Sequence, residues 1–301
     1  MPIIRFDPPP IQDDFGEDDV RSMDVGRRQL RTEWPRTLYK PDSPDKDWCL
    51  ILPFPNTYQN AFFSMCDVDA HAHHASTGKL CLFLRGSGRD EEPPTEATKW
   101  VDTVGKYVAM KDFLALSFAL DYERKQGDPN RSQIKIGTLR ARAKPYGSQA
   151  ATKQTTAAAD QLVEHCLVFL EVMSCYESAD CVVSMPPSDP AKSYSLPRYL
   201  AARIAEKWKR EDLTENVRTV TSRTSIKGVR LAKKLDTLLG SIKVTKNTFD
   251  GKRVLLIDDL YQSGISMNYC ALLLLKAGAR KVFGLACEKT CRNDDNVSGR
   301  I

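Results

Sequence analysis

The stretch from Lys252 to Lys276 constrains the fold more strongly than any other part of the sequence. Val254 to Ile257 is a short, wholly apolar run that ends in two aspartates, which is typical of a central parallel strand buried on both faces. Ser266 to Lys276 has the composition of a helix, and Val282 to Ala286 is a second apolar run. Strand, loop, helix and strand in this order predict an α/β fold with a parallel sheet flanked by helices.

The loop between this strand and helix is small, polar and rich in hydroxyl groups. Gly264 allows the backbone to bend so that successive N–H groups face one point, and the start of the helix adds the positive end of its dipole. We therefore predict a phosphate-binding loop, whose members are Gln262, Ser263, Gly264, Ile265 and Ser266. The carboxylates of Asp258 and Asp259 suit a ligand that carries sugar hydroxyls beside its phosphate. A strand–turn–helix unit that holds no ligand is the alternative.

Four apolar residues, two aspartates, two variable residues and a hydroxyl-rich loop around a glycine resemble the phosphoribosyl pyrophosphate motif of type I phosphoribosyltransferases. The match runs from Val254 to Met267, with Gln262 at a position where a hydroxyl is common. The order of predicted strands and helices extends the resemblance over about residues 181–296. Within the family, the competence-associated branch is the most similar, through an Arg-Thr-Ser-x-Lys-Gly stretch at residues 223–228.

Composition and resemblance together divide the chain into three predicted regions. Residues 1–20 contain three consecutive prolines and carry one Arg against six acids, so we expect a flexible acidic tail. Residues 21–153 are predicted to form an N-terminal α+β domain of unknown type, and residues 154–301 a phosphoribosyltransferase-like domain. In the N-terminal region the predicted elements are two strands and a helix, Trp48–Leu52, Leu80–Leu84 and Ala97–Glu123.

The resemblance implies roles for particular residues in transfer of a phosphoribosyl group. Asp258 and Asp259 would hold the ribose hydroxyls near a C1 atom that develops positive charge, and the glycine loop would hold the 5-phosphate. Mg²⁺ would bridge the ribose hydroxyls and the pyrophosphate. The pyrophosphate or second-phosphate loop would contain Ser188, Lys192 and Ser193. This loop has one cation, and Asp189 within it would repel a diphosphate.

Because the second loop has a single cation and an opposing acid, we also consider two functions that do not require pyrophosphate binding there. An N-glycosylase could hydrolyse the base–sugar bond of a flipped-out, natural or modified nucleotide in DNA, for repair or for defence against foreign DNA, and would need no cofactor. Three basic tracts, residues 21–40, 131–153 and 197–253, would then contact the DNA backbone. A sensor that binds a nucleotide or phosphoribosyl pyrophosphate without turnover is the third hypothesis. The alternative is that the basic residues of these tracts lie on solvated helix faces and bind no partner.

Aromatic and histidine side chains offer further candidates. Tyr261 is a candidate platform for a base, or else packs in the core against the following helix. His71, His73 and His74 could bind a metal, line a substrate cleft or belong to a polar loop, and their spacing leads us to assign no metal ligand. Nine cysteines without regular spacing and the lack of a long apolar run favour a cytoplasmic protein with no membrane partner.

Overall fold

The computed structural model describes residues 15–23, 29–30, 38–41, 46–54, 56–76, 78–125, 132–145, 151–222, 229 and 231–291. Within these residues the helices are α1 (Glu17–Arg21), α2 (Asn56–Met65), α3 (Thr95–Val104), α4 (Lys135–Ala143), α5 (Lys153–Val172), α6 (Leu196–Trp208), α7 (Leu231–Leu238) and α8 (Ile265–Lys276). The strands are β1 (Gln29–Leu30), β2 (Leu38–Tyr39), β3 (Trp48–Leu52), β4 (Ala70–His74), β5 (Leu80–Leu84), β6 (Val108–Met110), β7 (Leu116–Tyr122), β8 (Cys181–Ser184), β9 (Glu211–Asp212), β10 (Val217–Thr219), β11 (Ile242–Val244), β12 (Arg253–Tyr261) and β13 (Lys281–Lys289).

A seven-stranded sheet in the order β1-β6-β7-β13-β12-β8-β9 forms the centre of the molecule. The five strands from β7 to β9 in this order run parallel, whereas β6, near one edge, runs antiparallel to both of its neighbours, β1 and β7. Leu256 of β12 lies opposite Gly284 on one side and Val183 on the other. The predicted α/β fold, with a parallel sheet flanked by helices, is therefore confirmed.

Alternate residues of β12 face different helices. Leu255 and Ile257 belong to a core shared with α5 and α6, whereas Val254 and Leu256 belong to a core shared with α7 and α8. Because side chains alternate between the two faces of a strand, an apolar run of this kind is buried from both directions.

The strand order reverses between β8 and β12. The chain leaves β8 through α6 and returns as β9 on one side, whereas it leaves β12 through α8 and returns as β13 on the other side. Since α6 and α8 cover opposite faces of the sheet, the loops after β8 and β12 diverge at their carboxyl ends. In open parallel sheets such a crevice is where ligands bind.

The N-terminal region contributes to the same sheet. The predicted helix Ala97–Glu123 is wrong beyond Val104, because the chain turns at Gly105 and continues as β6 and β7. The apolar spacing that suggested one long helix belongs instead to a helix followed by a strand buried along almost its whole length. Because β7 pairs with β13, the expected boundary at residue 153 does not separate two sheets.

A second, antiparallel sheet in the order β2-β3-β5-β4 lies wholly within residues 21–153. Its strands β3 and β5 are the predicted strands Trp48–Leu52 and Leu80–Leu84, which are confirmed. With α2 and α3 this sheet forms the additional N-terminal α+β region that was expected.

The predicted flexible tail is partly ordered. Residues 1–14 lie outside the described part of the chain, but α1 begins at Glu17 and Val20 is fully buried. Glu17 forms an ion pair with Lys276 at 3.3 Å, and Arg21 forms one with Asp236 at 2.7 Å. The expectation of an unpacked tail is therefore wrong for residues 17–20. No helix among the described residues is long and apolar enough to cross a membrane.

Candidate active site

The two predicted catalytic carboxylates belong to β12 itself, because the strand continues past the apolar run to Tyr261. Successive residues of a strand point to opposite faces, so Asp258 and Asp259 have different surroundings. Both lie at the carboxyl end of β12, beside the point where the strand order reverses.

Asp259 is paired with two cations from the N-terminal half of the chain. Lys144, which directly follows α4, forms an ion pair with it, and Arg140 Nη1 lies 3.3 Å from its Oδ2 atom. Burial opposes ionisation of this carboxyl, yet Lys144 and Arg140 outweigh burial and lower the pKa of Asp259 below its usual value. Asp259 is therefore an ionised, charge-compensated group at neutral pH.

Arg140 joins the carboxyl ends of three parallel strands. It forms ion pairs with Glu123 just after β7, at 3.9 Å, with Glu288 in β13, and with Asp259 in β12. Glu288 is fully buried. The close approach of α4 to this edge depends on Gly137, because a side chain there would collide with the Glu123 carbonyl oxygen. No sequence motif indicated this cluster, because Arg140 and Lys144 belong to the basic tract 131–153, which was predicted to contact DNA or to be a solvated helix face.

Asp258 has the opposite character. Its side chain is half-buried, forms no ion pair with the described residues, and its Oδ1 atom accepts a hydrogen bond from the Asp259 N–H at 2.8 Å. Burial and the adjacent Asp259 charge raise the pKa of Asp258 to about 7. Asp258 is thus the member of the pair that can exist in either protonation state near neutral pH.

The predicted phosphate loop forms a tight corner at the start of α8. Gly264 has a φ of 81°, and a side chain at this position would collide with the Tyr261 hydroxyl. The first helical hydrogen bond runs from the Asn268 N–H to the Gly264 carbonyl oxygen at 2.9 Å. The N–H groups of Ile265 and Ser266 precede it, at the positive end of a helix of 12 residues. This geometry suits an anion.

A buried hydrogen-bond network anchors this loop to the connection between β6 and β7. The Tyr261 hydroxyl donates to Asp112 Oδ2 at 2.9 Å. Asn268 donates to the Gly264 carbonyl oxygen at 2.9 Å and accepts from the Phe113 N–H at 3.0 Å. Burial raises the pKa of Asp112 to about 6, although the hydrogen bond from Tyr261 opposes the rise.

Tyr261 is 2% exposed, so it packs in the core and presents no ring to a base. The interpretation of Tyr261 as a base platform is wrong, because the network above places its ring under the phosphate loop.

The predicted second-phosphate loop starts beside Asp258, since the Met185 N–H donates to the Ile257 carbonyl oxygen at 2.8 Å. Ser188 is half-buried, whereas Lys192 and Ser193 are exposed. Asp189 Oδ1 accepts from the Ala191 N–H at 3.0 Å and so stabilises the turn of the loop. The positions of these residues are compatible with a ligand above β8 and β12. The structure shows no side-chain hydrogen bond or ion pair between Lys192 and another described residue.

Tyr194, which no sequence motif indicated, lies close enough to the site for the charge of Asp259 to act on its hydroxyl. Its hydroxyl oxygen is buried and has no hydrogen-bond partner among the described residues. Burial raises the pKa of Tyr194 to about 12, and the nearby carboxylates of Asp160 and Asp259 add to the rise. Its ring lies 6.2 Å from that of Tyr199. Only its place in the loop after a parallel strand could have indicated it.

The histidine cluster lies on a different sheet from the aspartates. His71, His73 and His74 are exposed on β4, an edge strand of the N-terminal sheet. In the described part of the chain, no three His, Cys, Asp or Glu side chains are arranged to hold a metal ion.

Mg²⁺ is commonly held by one or two carboxylates together with substrate phosphates. Asp258, which lacks an ion pair with any described residue, fits this arrangement, whereas Asp259 is already paired. The residues therefore fit a metal that arrives with a diphosphate ligand.

No protein-family model matches the sequence, and no functionally curated protein matches it. Solved structures do match parts of the chain. Adenine phosphoribosyltransferase from Thermoanaerobacter pseudethanolicus is 13% identical over 44% of this chain and 81% of its own, with a TM-score of 0.30. A hypoxanthine phosphoribosyltransferase mutant from Trypanosoma cruzi, in a ternary substrates complex, is 9% identical over 55% and 74%, with a TM-score of 0.29.

UMP synthase from Leishmania donovani is 14% identical over 50% of this chain and 30% of its own, with a TM-score of 0.28. At these TM-scores the similarities assign neither an activity nor a substrate to this chain.

Proposed function

We propose that this protein is a phosphoribosyltransferase that moves a ribose 5-phosphate unit from phosphoribosyl pyrophosphate to a nitrogenous base. The observation that carries the proposal is the succession of two carboxylates at the end of the central strand, a tight turn at Gly264 and the N-terminus of α8. This succession lies at the reversal of strand order, where ligands of parallel sheets bind. The sequence likeness to the competence-associated branch supports the proposal, although residues 223–228 lie outside the described residues.

Each part of the site has a role in the proposed reaction. The N–H groups at the start of α8 and the hydroxyl of Ser266 would bind the 5-phosphate. Asp258 and Asp259 would accept hydrogen bonds from the ribose hydroxyls and stabilise positive charge at C1 as the bond to pyrophosphate breaks. Mg²⁺, when bound, would neutralise charge on the diphosphate. The residues Ser188, Lys192 and Ser193 would lie beside the diphosphate.

A DNA N-glycosylase remains the second candidate, because the same loop could hold a backbone phosphate. Its main support, the three basic tracts, is weakened by ion pairs within the protein. Arg140 and Lys144 are bound to acids in the site. In the tract 197–253, Arg253 pairs with Asp180 at 2.8 Å, and further pairs are Lys252–Glu211 and Arg198–Glu215. The tract at residues 21–40 lies largely outside the described residues.

A release assay distinguishes the candidates. Wild-type protein and Asp258→Asn/Asp259→Asn would be incubated with phosphoribosyl pyrophosphate plus a panel of bases, with free nucleotides, and with DNA containing natural or modified bases. We expect Mg²⁺-dependent release of pyrophosphate by the wild type and none by the double variant. Free base and abasic sites from DNA would instead identify a glycosylase. Ligand binding without turnover in any reaction would identify a sensor.

The proposed setting is the cytoplasm. All nine cysteines are free thiols, which agrees with a reducing compartment.

A further inference from the structure

Two cations bind Asp259, and the fold restrains Arg140 more strongly than Lys144. The Arg140 side chain is 12% exposed, and Glu123 and Glu288 bind the same guanidinium. The Lys144 side chain is 40% exposed, and among the described residues Asp259 is its one acidic partner. Lys144 can therefore leave Asp259 by rotating its own side chain, whereas Arg140 would have to abandon two further carboxylates.

The loop that faces the expected diphosphate is poor in positive charge. Residues 187–193 contain Lys192 as their one cation and Asp189 as an opposing charge. Lys192 is exposed, and the Asp189 carboxylate is bound to the turn of the loop. Mg²⁺ would offset part of the charge of a diphosphate bound beside Asp258. The remaining charge needs a cation from elsewhere in the protein, because an uncompensated anion in a partly buried crevice is costly.

We propose that Lys144 is a specificity-determining residue, a movable counter-ion that passes from Asp259 to the diphosphate of the incoming substrate. The inference deepens the proposed function and rests on it. After the exchange Arg140 still contacts Asp259 Oδ2, and a ribose hydroxyl can donate a hydrogen bond to the same oxygen in the place of Lys144. A ligand that brings a sugar without a diphosphate offers Lys144 no new partner, so Lys144 favours the activated sugar over the same sugar without its leaving group.

The test compares two ligands that differ in the diphosphate. Phosphoribosyl pyrophosphate and ribose 5-phosphate would be titrated by calorimetry, with Mg²⁺, into the full-length wild type and three variants. Lys144→Met removes the charge and keeps the length of the side chain, and Lys144→Arg keeps the charge. Arg142→Met is the matched control, since Arg142 is an exposed cation of α4 only two residues before Lys144.

We expect Lys144→Met to lose about ten- to hundredfold in affinity for phosphoribosyl pyrophosphate, the range for one charge-assisted contact, and to bind ribose 5-phosphate as the wild type does. Lys144→Arg should retain most of the difference between the ligands, and Arg142→Met all of it. Retained binding of ribose 5-phosphate also reports that the variant is folded.

The other outcomes overturn the proposal in distinguishable ways. Wild-type affinity of Lys144→Met for both ligands would mean that Lys144 never reaches the diphosphate. Equal weakening for both ligands would make Lys144 an anchor of α4, without a part in selectivity. If the wild type binds ribose 5-phosphate but gains nothing from the diphosphate, the phosphate loop stands and this inference falls. If the wild type binds neither ligand, the proposed function itself falls, and the inference with it.

Discussion

At the residue scale, Asp258 and Asp259 have the same side chain and different surroundings. Asp259 is held ionised by Lys144 and Arg140, and Asp258 is half-buried without an ion pair to the described residues. A carboxyl whose pKa is raised by folding destabilises the folded state wherever it must ionise. A carboxyl whose pKa is lowered by cations does the opposite. The Asp259 charge therefore stabilises the folded protein, whereas ionisation of Asp258 at the same strand end destabilises it.

We predict that the two Asp→Asn substitutions have opposite effects on stability. Between the unfolded value near 4 and about 7, folded Asp258 binds more protons than the unfolded chain, so its contribution to stability falls as the pH rises through this window. Asp258→Asn should raise the free energy of unfolding by about 1–3 kcal/mol at pH 8 and by less at pH 5.

Asp259→Asn should lower the free energy of unfolding at pH 8 by about 1–3 kcal/mol, because it leaves Lys144 without its partner and removes one acid from Arg140. Urea unfolding of both variants and the wild type at the two pH values measures these changes. A shift of the same sign for both substitutions at pH 8 would contradict the view that the Asp259 charge stabilises the fold and the Asp258 charge destabilises it.

At the scale of elements, the phosphate loop owes its shape to contacts outside α8. The Tyr261 hydroxyl and the Asn268 amide tie the loop to the segment between β6 and β7. Position 264 requires glycine for two reasons: its φ is positive, and the Tyr261 hydroxyl occupies the space that a side chain would need. A loop held in this way is pre-organised, so little ordering is needed when a ligand binds.

We predict that Tyr261→Phe weakens binding of ribose 5-phosphate as well as stability. The substitution removes the Tyr261 hydroxyl that donates to the buried Asp112 carboxylate, which costs about 1–3 kcal/mol and loosens the corner at Gly264. Tyr269→Phe is the control, because the Tyr269 hydroxyl accepts from the Gly240 N–H at 3.3 Å, away from the loop. Calorimetry with ribose 5-phosphate should show a loss for Tyr261→Phe alone, and equal affinities for the two variants would refute the positioning role.

At the scale of the whole molecule, the two halves of the chain share one sheet and one site. Strand β7 pairs along β13, and Arg140 of α4 and Lys144 directly after it supply the cations of Asp259. All nine residues of β13 are buried. Without β7 this strand would become a long, exposed and largely apolar edge, which is a hazard for aggregation.

We therefore predict that residues 154–301 do not form a stable domain alone. The fragment should lack a cooperative thermal transition by circular dichroism, while residues 15–301, which keep every described element, should unfold as the full chain does. A cooperative transition of the shorter fragment near the midpoint of the full chain would support the boundary at residue 153 as a true domain boundary.

The sequence by itself determined the features that depend on neighbouring residues. The apolar run of β12, the glycine corner and the helix that ends at Lys276 could be predicted, because burial on both faces, a positive φ and helical composition each follow from a few adjacent residues. The family resemblance indicated the carboxylates and the loop after β8, and the structure brings the start of that loop beside the end of β12 through the Met185 N–H.

Only the tertiary structure decided which side chains meet at the carboxyl ends of these strands. Arg140 lies 119 residues before Asp259 in the chain, and no local pattern pairs them. The same holds for Tyr261, which long-range contacts to Asp112 bury, and for Tyr194, which the fold brings near Asp259. Burial and charge compensation depend on which distant segments cover a residue. They therefore set the different protonation of two adjacent aspartates, which composition and spacing left equivalent.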